Sequence, residues 1–185
     1  MDTLNYMIDV IGRFRSILSE HELHMKLFDH CAVQVEGWLK GELLPFFEAE
    51  KAYGILLNYW PESSPKFRTI QGRKRIDYEL QLFDSTKVWI ELKHFQIGHQ
   101  KGELWKAQNY FIDKNIGIYN DVVKLQDVVE GDKYIFILAT KNPGMDDWSR
   151  GLHKFNEKFS HLYIQSHTAP SNFPATYFLG LLKVS

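Results

Sequence analysis

The chain has 185 residues and a formal net charge of −1, and 44% of its residues are apolar and 15% aromatic. This length fits one domain with a sizeable core, and this apolar content argues against extended disorder. No apolar run is long enough to span a bilayer, and the single cysteine excludes an internal disulfide framework, so we expect a cytoplasmic protein without a membrane segment. Any nucleic acid would have to bind through a local basic patch.

The N-terminal part of the chain is predicted to be helical. Residues 3–29 carry apolar side chains at a spacing close to 3.6, and a second helix is predicted over about 33–51, kinked or split at Pro45. Residues 53–60 are predicted to form a strand, and residues 61–65 a loop. The next segment holds five basic residues, Lys66, Arg68, Arg73, Lys74 and Arg75.

The rest of the chain alternates strands with helices. A hairpin is predicted over 75–94, two helical pieces over 101–130 with a break near Gly117, and a buried strand over 133–140. A helix over 146–159 and strand-like segments near the C-terminus follow. This order predicts a single α/β domain over residues 1–185, with a central mixed sheet of four to five strands flanked by helices.

The hairpin places charged side chains on one face. Because side chains alternate along a strand, Asp77 in the first strand shares a face with Glu91 and Lys93 in the second. If residues 84–86 form a three-residue turn, Asp77 lies opposite Lys93, and Glu91 is its diagonal neighbour at about 7–8 Å. Two carboxylates and one ammonium group would then converge within reach of one ion. A solvated polar face on an ordinary hairpin gives the same alternation, so both interpretations stay open.

These residues resemble a known motif. Asp77, a turn and then Glu91-Leu92-Lys93 are similar to the PD-(D/E)xK motif of the restriction-endonuclease-like nuclease superfamily, with Ile76 in place of the proline. The core of that superfamily is a helix, three meandering strands, a helix and a further strand.

The order of predicted elements extends the resemblance to residues 33–140. It implies a restriction-endonuclease-like core, preceded by a helical extension over 1–30 and followed by a C-terminal helix and strands over 145–185. It also implies DNA as the partner, in preference to RNA, and either a homodimer or a partner subunit.

The implied activity is a Mg²⁺-dependent (or Mn²⁺-dependent) endonuclease that hydrolyses phosphodiester bonds in restriction, repair or defence. Asp77, Glu91 and the Leu92 carbonyl would hold the ion, which acts as a Lewis acid. Lys93 would orient the attacking water or help to deprotonate it.

Further site residues are expected on the flanking helices and the basic segment. The superfamily often places a carboxylate on the helix before the first strand, and Glu36 shares the direction of that helix's apolar stripe, with Glu42 as second choice. Gln108 is a candidate substrate contact on the following helix. Residues Lys66, Arg68, Arg73, Lys74 and Arg75 are candidates for binding DNA phosphates.

Two other functions stay open. A nuclease-like fold that has lost catalysis would serve as a DNA-binding or protein-binding subunit, and the near-zero net charge favours this slightly. A structural or adaptor protein whose hairpin charges are only a solvated face is the other. His21, His24, His30 and Cys31 also offer the ligand types of a zinc cluster, but histidines scattered on an amphipathic helix explain that pattern better.

Overall fold

The computed structural model of the chain describes residues 2–31, 35–69, 74–100, 103–171 and 176–185. Three helices come first, and three more follow in the second half of the chain. The helices are α1 (Thr3–Ser19), α2 (Glu22–Cys31), α3 (Glu36–Ala52), α4 (Ala107–Ile112), α5 (Tyr119–Gln126) and α6 (Met145–Lys158). None of these helices has both the length and the apolar character that a membrane crossing requires.

The strands form one six-stranded sheet and one small hairpin. They are β1 (Leu56–Ser63), β2 (Ile76–Leu82), β3 (Lys87–Phe95), β4 (Gly98–Gln100), β5 (Glu103–Trp105), β6 (Asp132–Ala139), β7 (Ile164–Ser166) and β8 (Phe178–Val184). The large sheet has the order β1-β2-β3-β6-β8-β7, and β3 and β6 are its parallel pair. The predicted α/β class with a mixed sheet is therefore confirmed, but the predicted four to five strands are too few, because β7 and β8 extend the sheet.

Both faces of the large sheet are covered. The α1/α3 face carries apolar side chains such as Leu80, Ile90 and Phe136, which pack with residues of α1 and α3. The α5/α6 face carries Trp89 and Ile137, among others, which pack with residues of α4, α5 and α6. β3 lies in the middle of the sheet, so alternate residues of this one strand enter two different interiors.

Several predicted boundaries need correction. The first helical segment is two helices, and α3 runs through Pro45 without being split. β1 continues through Pro61 to Ser63, where the sequence predicts a loop; a strand at the sheet edge tolerates a residue without an N–H group. Residues 103–105 belong to the β4–β5 hairpin, where the sequence predicts the start of a helix.

The predicted break near Gly117 is confirmed. Gly117 lies between α4 and α5, where a Cβ atom would stand 2.1 Å from the carbonyl oxygen of Tyr110. Any larger residue would push this turn apart. The turn therefore fixes where α5 begins, and α5 carries side chains that matter below.

The β2–β3 turn differs from its predicted position by one residue. The Leu82 amide donates to the Thr86 carbonyl at 2.9 Å, so residues 83–85 form the three-residue turn, with Ser85 at φ 67°. Tyr78 pairs with Ile90, and continuing this register brings Asp77 level with Glu91, not with Lys93 as predicted. Because the shift moves each partner by two residues, every side chain keeps its predicted face.

Candidate active site

A group of charged side chains gathers where β2 and β3 separate. We call it the charged cluster: Glu36, Lys40, Glu62, Asp77, Glu91, Lys93, Asp121 and Lys124. Its members come from β1, β2, β3, α3 and α5. It joins elements that are far apart along the chain, so the fold itself assembles it.

Asp77 is fixed by the backbone of the neighbouring strand. β2 and β3 separate beyond the Tyr78–Ile90 pair, and the Leu92 amide donates to Asp77 Oδ2 at 2.8 Å. The other oxygen, Oδ1, lies 2.6 Å from Lys40 Nζ on α3. Lys40 also contacts Glu62. The carboxylate thus replaces a main-chain partner in the ladder and is held beside the segment that carries Glu91.

Glu91 is the most buried member, with 3% of its surface exposed. Lys124 Nζ lies 2.5 Å from Glu91 Oε1, and it also donates to the Arg75 carbonyl at 3.0 Å. Burial raises the pKa of Glu91 to about 8; Lys124 opposes this rise, and the nearby carboxylates of Asp77 and Asp121 add to it. Without another cation, this carboxyl group tends to keep its proton near neutral pH.

Lys93 reaches a different partner from the one predicted. Its Nζ lies 3.1 Å from Asp121 Oδ2 on α5 and 4.0 Å from Glu36 Oε1. Burial opposes the charged form, but the carboxylates of Asp121 and Glu36 outweigh it, and the pKa of Lys93 is raised. Lys93 is therefore a stable ammonium group.

The first turn of α3 brings Glu36 to the cluster. Glu36 Oε1 accepts a hydrogen bond from the His94 amide at 3.3 Å. Glu42 lies elsewhere, because its Oε2 is 3.8 Å from His21 Nε2 near α2. Of the two carboxylates considered on this helix, the structure therefore brings Glu36 to Lys93 and leaves Glu42 outside the cluster.

The hydrogen bond that Gln108 makes also lies outside the charged cluster. Its Oε1 accepts a hydrogen bond from Lys154 on α6 at 3.3 Å. This contact joins α4 to α6 on the outside of the domain and does not reach β3.

The basic residues divide into two groups. Lys66 and Arg68 are exposed beside the C-terminal end of α5, where the Arg68 amide donates to the Asp127 carbonyl at 2.8 Å. Lys74 and Arg75 are exposed just before β2, and the Arg75 carbonyl contacts the cluster through Lys124. Arg73 lies outside the described residues. The pair before β2 is thus the one that borders the cluster.

Four members of the cluster were not predicted from the sequence: Lys40, Glu62, Asp121 and Lys124. Asp121 and Lys124 stand three residues apart, so they share one side of α5. The only sequence signal is that this helix precedes a buried strand, and an acidic residue in a first helical turn is ordinary. Their role becomes visible once β6 pairs parallel to β3 and α5 is laid beside both.

Whether the protein can hold a metal ion depends on which Asp, Glu, His and Cys side chains lie together. Within the described residues, no three His, Cys, Asp or Glu side chains form a group that could hold a metal ion, which gives the zinc alternative no support. In the charged cluster, ammonium groups lie against the carboxylates. Even so, the cluster holds five carboxyl groups (Glu36, Glu62, Asp77, Glu91, Asp121) and three ammonium groups (Lys40, Lys93, Lys124), and this surplus of negative charge suits a hard cation.

Comparison with known proteins adds no relative. No family model matches the chain, and no curated protein and no solved structure matches it. The functional interpretation therefore depends on the residues of this chain.

Proposed function

We propose that the protein is a Mg²⁺-dependent or Mn²⁺-dependent nuclease of the PD-(D/E)xK, restriction-endonuclease-like kind, which hydrolyses phosphodiester bonds in DNA. The observation that supports this most strongly is that Asp77, Glu91 and Lys93 lie within electrostatic range of one another where β2 and β3 separate. The order α3, β1, β2, β3, α4 and α5, β6 agrees with the core that the motif implies.

The donor chemistry of the charged cluster fits a hard divalent ion. As they stand, Asp77, Glu91 and Glu36 do not form a metal-holding group among the described residues. Together with the Leu92 carbonyl they offer oxygen atoms that would hold the ion once the lysines against them move aside. When bound, the ion would supply a Lewis acid that polarises a phosphoryl oxygen and acidifies water. The burial of Glu91 supports the same assignment, because a buried carboxyl crowded by other carboxylates gains from a cation beside it.

Lys93 would act as a positioning and charge-stabilising group. Its pKa is raised by the carboxylates of Asp121 and Glu36, so before an ion binds it is an ammonium group that donates hydrogen bonds. Such a donor can orient the attacking water or stabilise negative charge on the phosphoryl oxygens. The contact with Asp121 would hold the ammonium group in place between turnovers.

DNA would approach along the exposed side of β2. Lys74 and Arg75 lie there beside the cluster, and their exposed side chains would contact phosphates. Lys66 and Arg68, beside the residues that follow α5, would extend the path of the DNA backbone.

A second candidate function is a nuclease-like fold without catalysis that binds DNA or protein. One observation favours it: Asp77, Glu91 and Asp121 each lie 2.5–3.1 Å from a lysine ammonium group. A cluster largely neutralised by its own lysines can be a purely structural feature of such a fold.

A plasmid-nicking assay separates the two. Supercoiled DNA is incubated with wild-type protein and with Asp77→Asn, in Mg²⁺, Mn²⁺ or a chelator. Nicking that needs the metal and disappears in Asp77→Asn supports the nuclease. DNA binding without nicking under every condition supports the second candidate, and the absence of both binding and nicking contradicts both proposals.

A further inference from the structure

We infer that Lys124 is a built-in substitute for the divalent ion: its ammonium group occupies a ligand position on Glu91 until the ion displaces it, and it then turns to the substrate phosphate. This inference rests on the proposed nuclease function. It assigns Lys124 two roles, as a competitor of the ion for Glu91 and as a contact of the substrate phosphate, and gives the site a defined state before metal binds.

The contacts of Lys124 are those of a cation in an oxygen-lined site. Its Nζ lies 2.5 Å from Glu91 Oε1 and 3.0 Å from the Arg75 carbonyl oxygen. A carboxylate oxygen and a main-chain carbonyl oxygen are the donor types that Mg²⁺ and Mn²⁺ use. A divalent ion bound by Glu91 would therefore compete with this ammonium group for the same oxygen.

Lys124 has fewer acidic partners than the other two lysines of the cluster. Lys40 contacts two carboxylates, those of Asp77 and Glu62. Lys93 lies near two as well, Asp121 and Glu36. Among the ion pairs of the described residues, Lys124 is paired with Glu91 alone. Displacing Lys124 breaks one ion pair, whereas displacing Lys40 or Lys93 breaks two. Lys124 is therefore the lysine that the divalent ion replaces.

The exchange needs only a side-chain movement. α5 is anchored by Val122 and Leu125, which are fully buried on the α5/α6 face, so the helix stays in place. The side chain of Lys124 is 21% exposed and long and flexible, which lets its ammonium group leave Glu91 for the open side of the cluster. A phosphate bound beside the ion would meet it there.

The test measures Mn²⁺ binding by calorimetry at one fixed, slightly alkaline pH. Lys124→Met removes the competing charge, and we expect the dissociation constant to fall by about tenfold. Lys124→Arg keeps the charge and adds a guanidinium group that grips carboxylates with two donors, so it should weaken Mn²⁺ binding. Lys87→Met is the matched control, because Lys87 also lies 2.5 Å from a carboxylate, Glu130, but outside the cluster; it should bind as the wild type does.

The outcomes separate this inference from the function on which it rests. Equal or weaker binding in Lys124→Met overturns the inference and leaves the nuclease standing. If Lys124→Met does not fold, the arginine variant decides, and binding equal to or tighter than that of the wild type overturns the inference. If Mn²⁺ binds to neither the wild type nor any folded variant, the metal-dependent function fails as well.

Cleavage at saturating Mn²⁺ tests the second part of the inference, the contact between Lys124 and the substrate phosphate. If the displaced ammonium group contacts the phosphate, Lys124→Met should raise KM for DNA by about tenfold and change kcat much less. An unchanged KM in a folded, metal-binding variant would overturn that contact.

Discussion

The two faces of β3 differ in what they bury. On the α1/α3 face, Val88, Ile90 and Leu92 enter an apolar interior, and Ile90 is 1% exposed. On the α5/α6 face, Glu91 and Lys93 follow Trp89, and Glu91 is nearly as buried at 3%. Burial of apolar area stabilises the fold, whereas burial of charge costs free energy unless every group is paired.

The contrast separates residues that build the fold from residues that need another explanation. The apolar side accounts for why β3 is central. The charged side is costly, and the chain could have filled it with apolar residues as it did at Ile135 and Ile137 on β6. The charge at this position is the motive for the proposed metal site.

The largest stability effect is expected on the apolar side. Ile90→Ala should lower the free energy of unfolding by about 2–5 kcal/mol, because it leaves a cavity in a packed interior. Urea unfolding measures the change, and Ile90→Val, expected to cost about 0.5–1.5 kcal/mol, is the graded control. If Lys93→Met, on the charged side, proved as damaging as Ile90→Ala, the two faces would not differ as described.

His94 is a buried polar residue on the apolar side of β3, and its burial should appear in the pH dependence of the unfolding free energy. Burial lowers the pKa of His94 to about 4 from 6.5, so the unfolded chain binds a proton that the folded protein rejects. Its contribution is complete above pH 6.5 and is lost as pH falls towards 4, to a total of about 3 kcal/mol at most.

The variant His94→Leu isolates this effect. As pH falls from 6.5 towards 4, the wild type should lose stability relative to the variant, because only the wild type carries His94. The other titrating groups are the same in both proteins, so their effects cancel in the difference. A difference that does not change with pH would mean that His94 is not held neutral.

Glu91 should show the opposite dependence. Its folded pKa of about 8 lies above its unfolded value of 4.5, so its contribution is complete below pH 4.5 and is lost as pH rises through 8. Glu91→Gln imitates the neutral form. Without metal, the variant should gain on the wild type by about 2 kcal/mol or less between pH 6.5 and 8. Parallel stability curves would contradict a raised pKa for this buried carboxyl group.

The alternation of side chains between the two faces of β2 and β3 was predictable, because it depends only on neighbouring residues. The register was not predictable, because the turn begins at Phe83, an exposed aromatic residue that turns rarely use, and because Ser85 takes a positive φ that glycine or asparagine usually adopts. Moving the turn by one residue changes each cross-strand partner by two residues. Because side chains alternate with a period of two, Asp77, Glu91 and Lys93 kept the face that was predicted for them.

The other half of the charged cluster could not be predicted from local pattern. Asp121 and Lys124 reach Glu91 and Lys93 because β6 pairs parallel to β3 and α5 packs beside both strands. That depends on pairings between residues that are distant along the chain, for which a single sequence gives no periodic signal. Lys40 was missed for the same reason, since it reaches Asp77 from α3.

The smallest expected effect concerns DNA affinity. Replacing Lys74 and Arg75 with glutamine should reduce the slope of log affinity against log salt by about one for each phosphate that the protein no longer neutralises. The matched pair Lys66→Gln and Arg68→Gln lies in a segment whose backbone bonds to residues 127 and 129, not to the cluster, and should change the slope less. Equal slopes in the wild type and both double variants would mean that these basic residues are only a solvated surface.

The central claim is that the charged side of β3 binds metal for catalysis, and Mn²⁺ affinity measured on three proteins tests it most directly. The wild type, Asp77→Asn and Lys93→Met are compared by calorimetry, with melting temperature to check the fold and plasmid nicking to follow activity. Asp77→Asn should lose at least about a hundredfold in affinity, because it removes a ligand's charge. Lys93→Met should hold or gain affinity, because it removes a repelling charge. Both variants should lose nicking while staying folded. If all three proteins bind Mn²⁺ equally, or if none binds it and both variants lose stability to the same degree, the cluster is structural and the claim is contradicted.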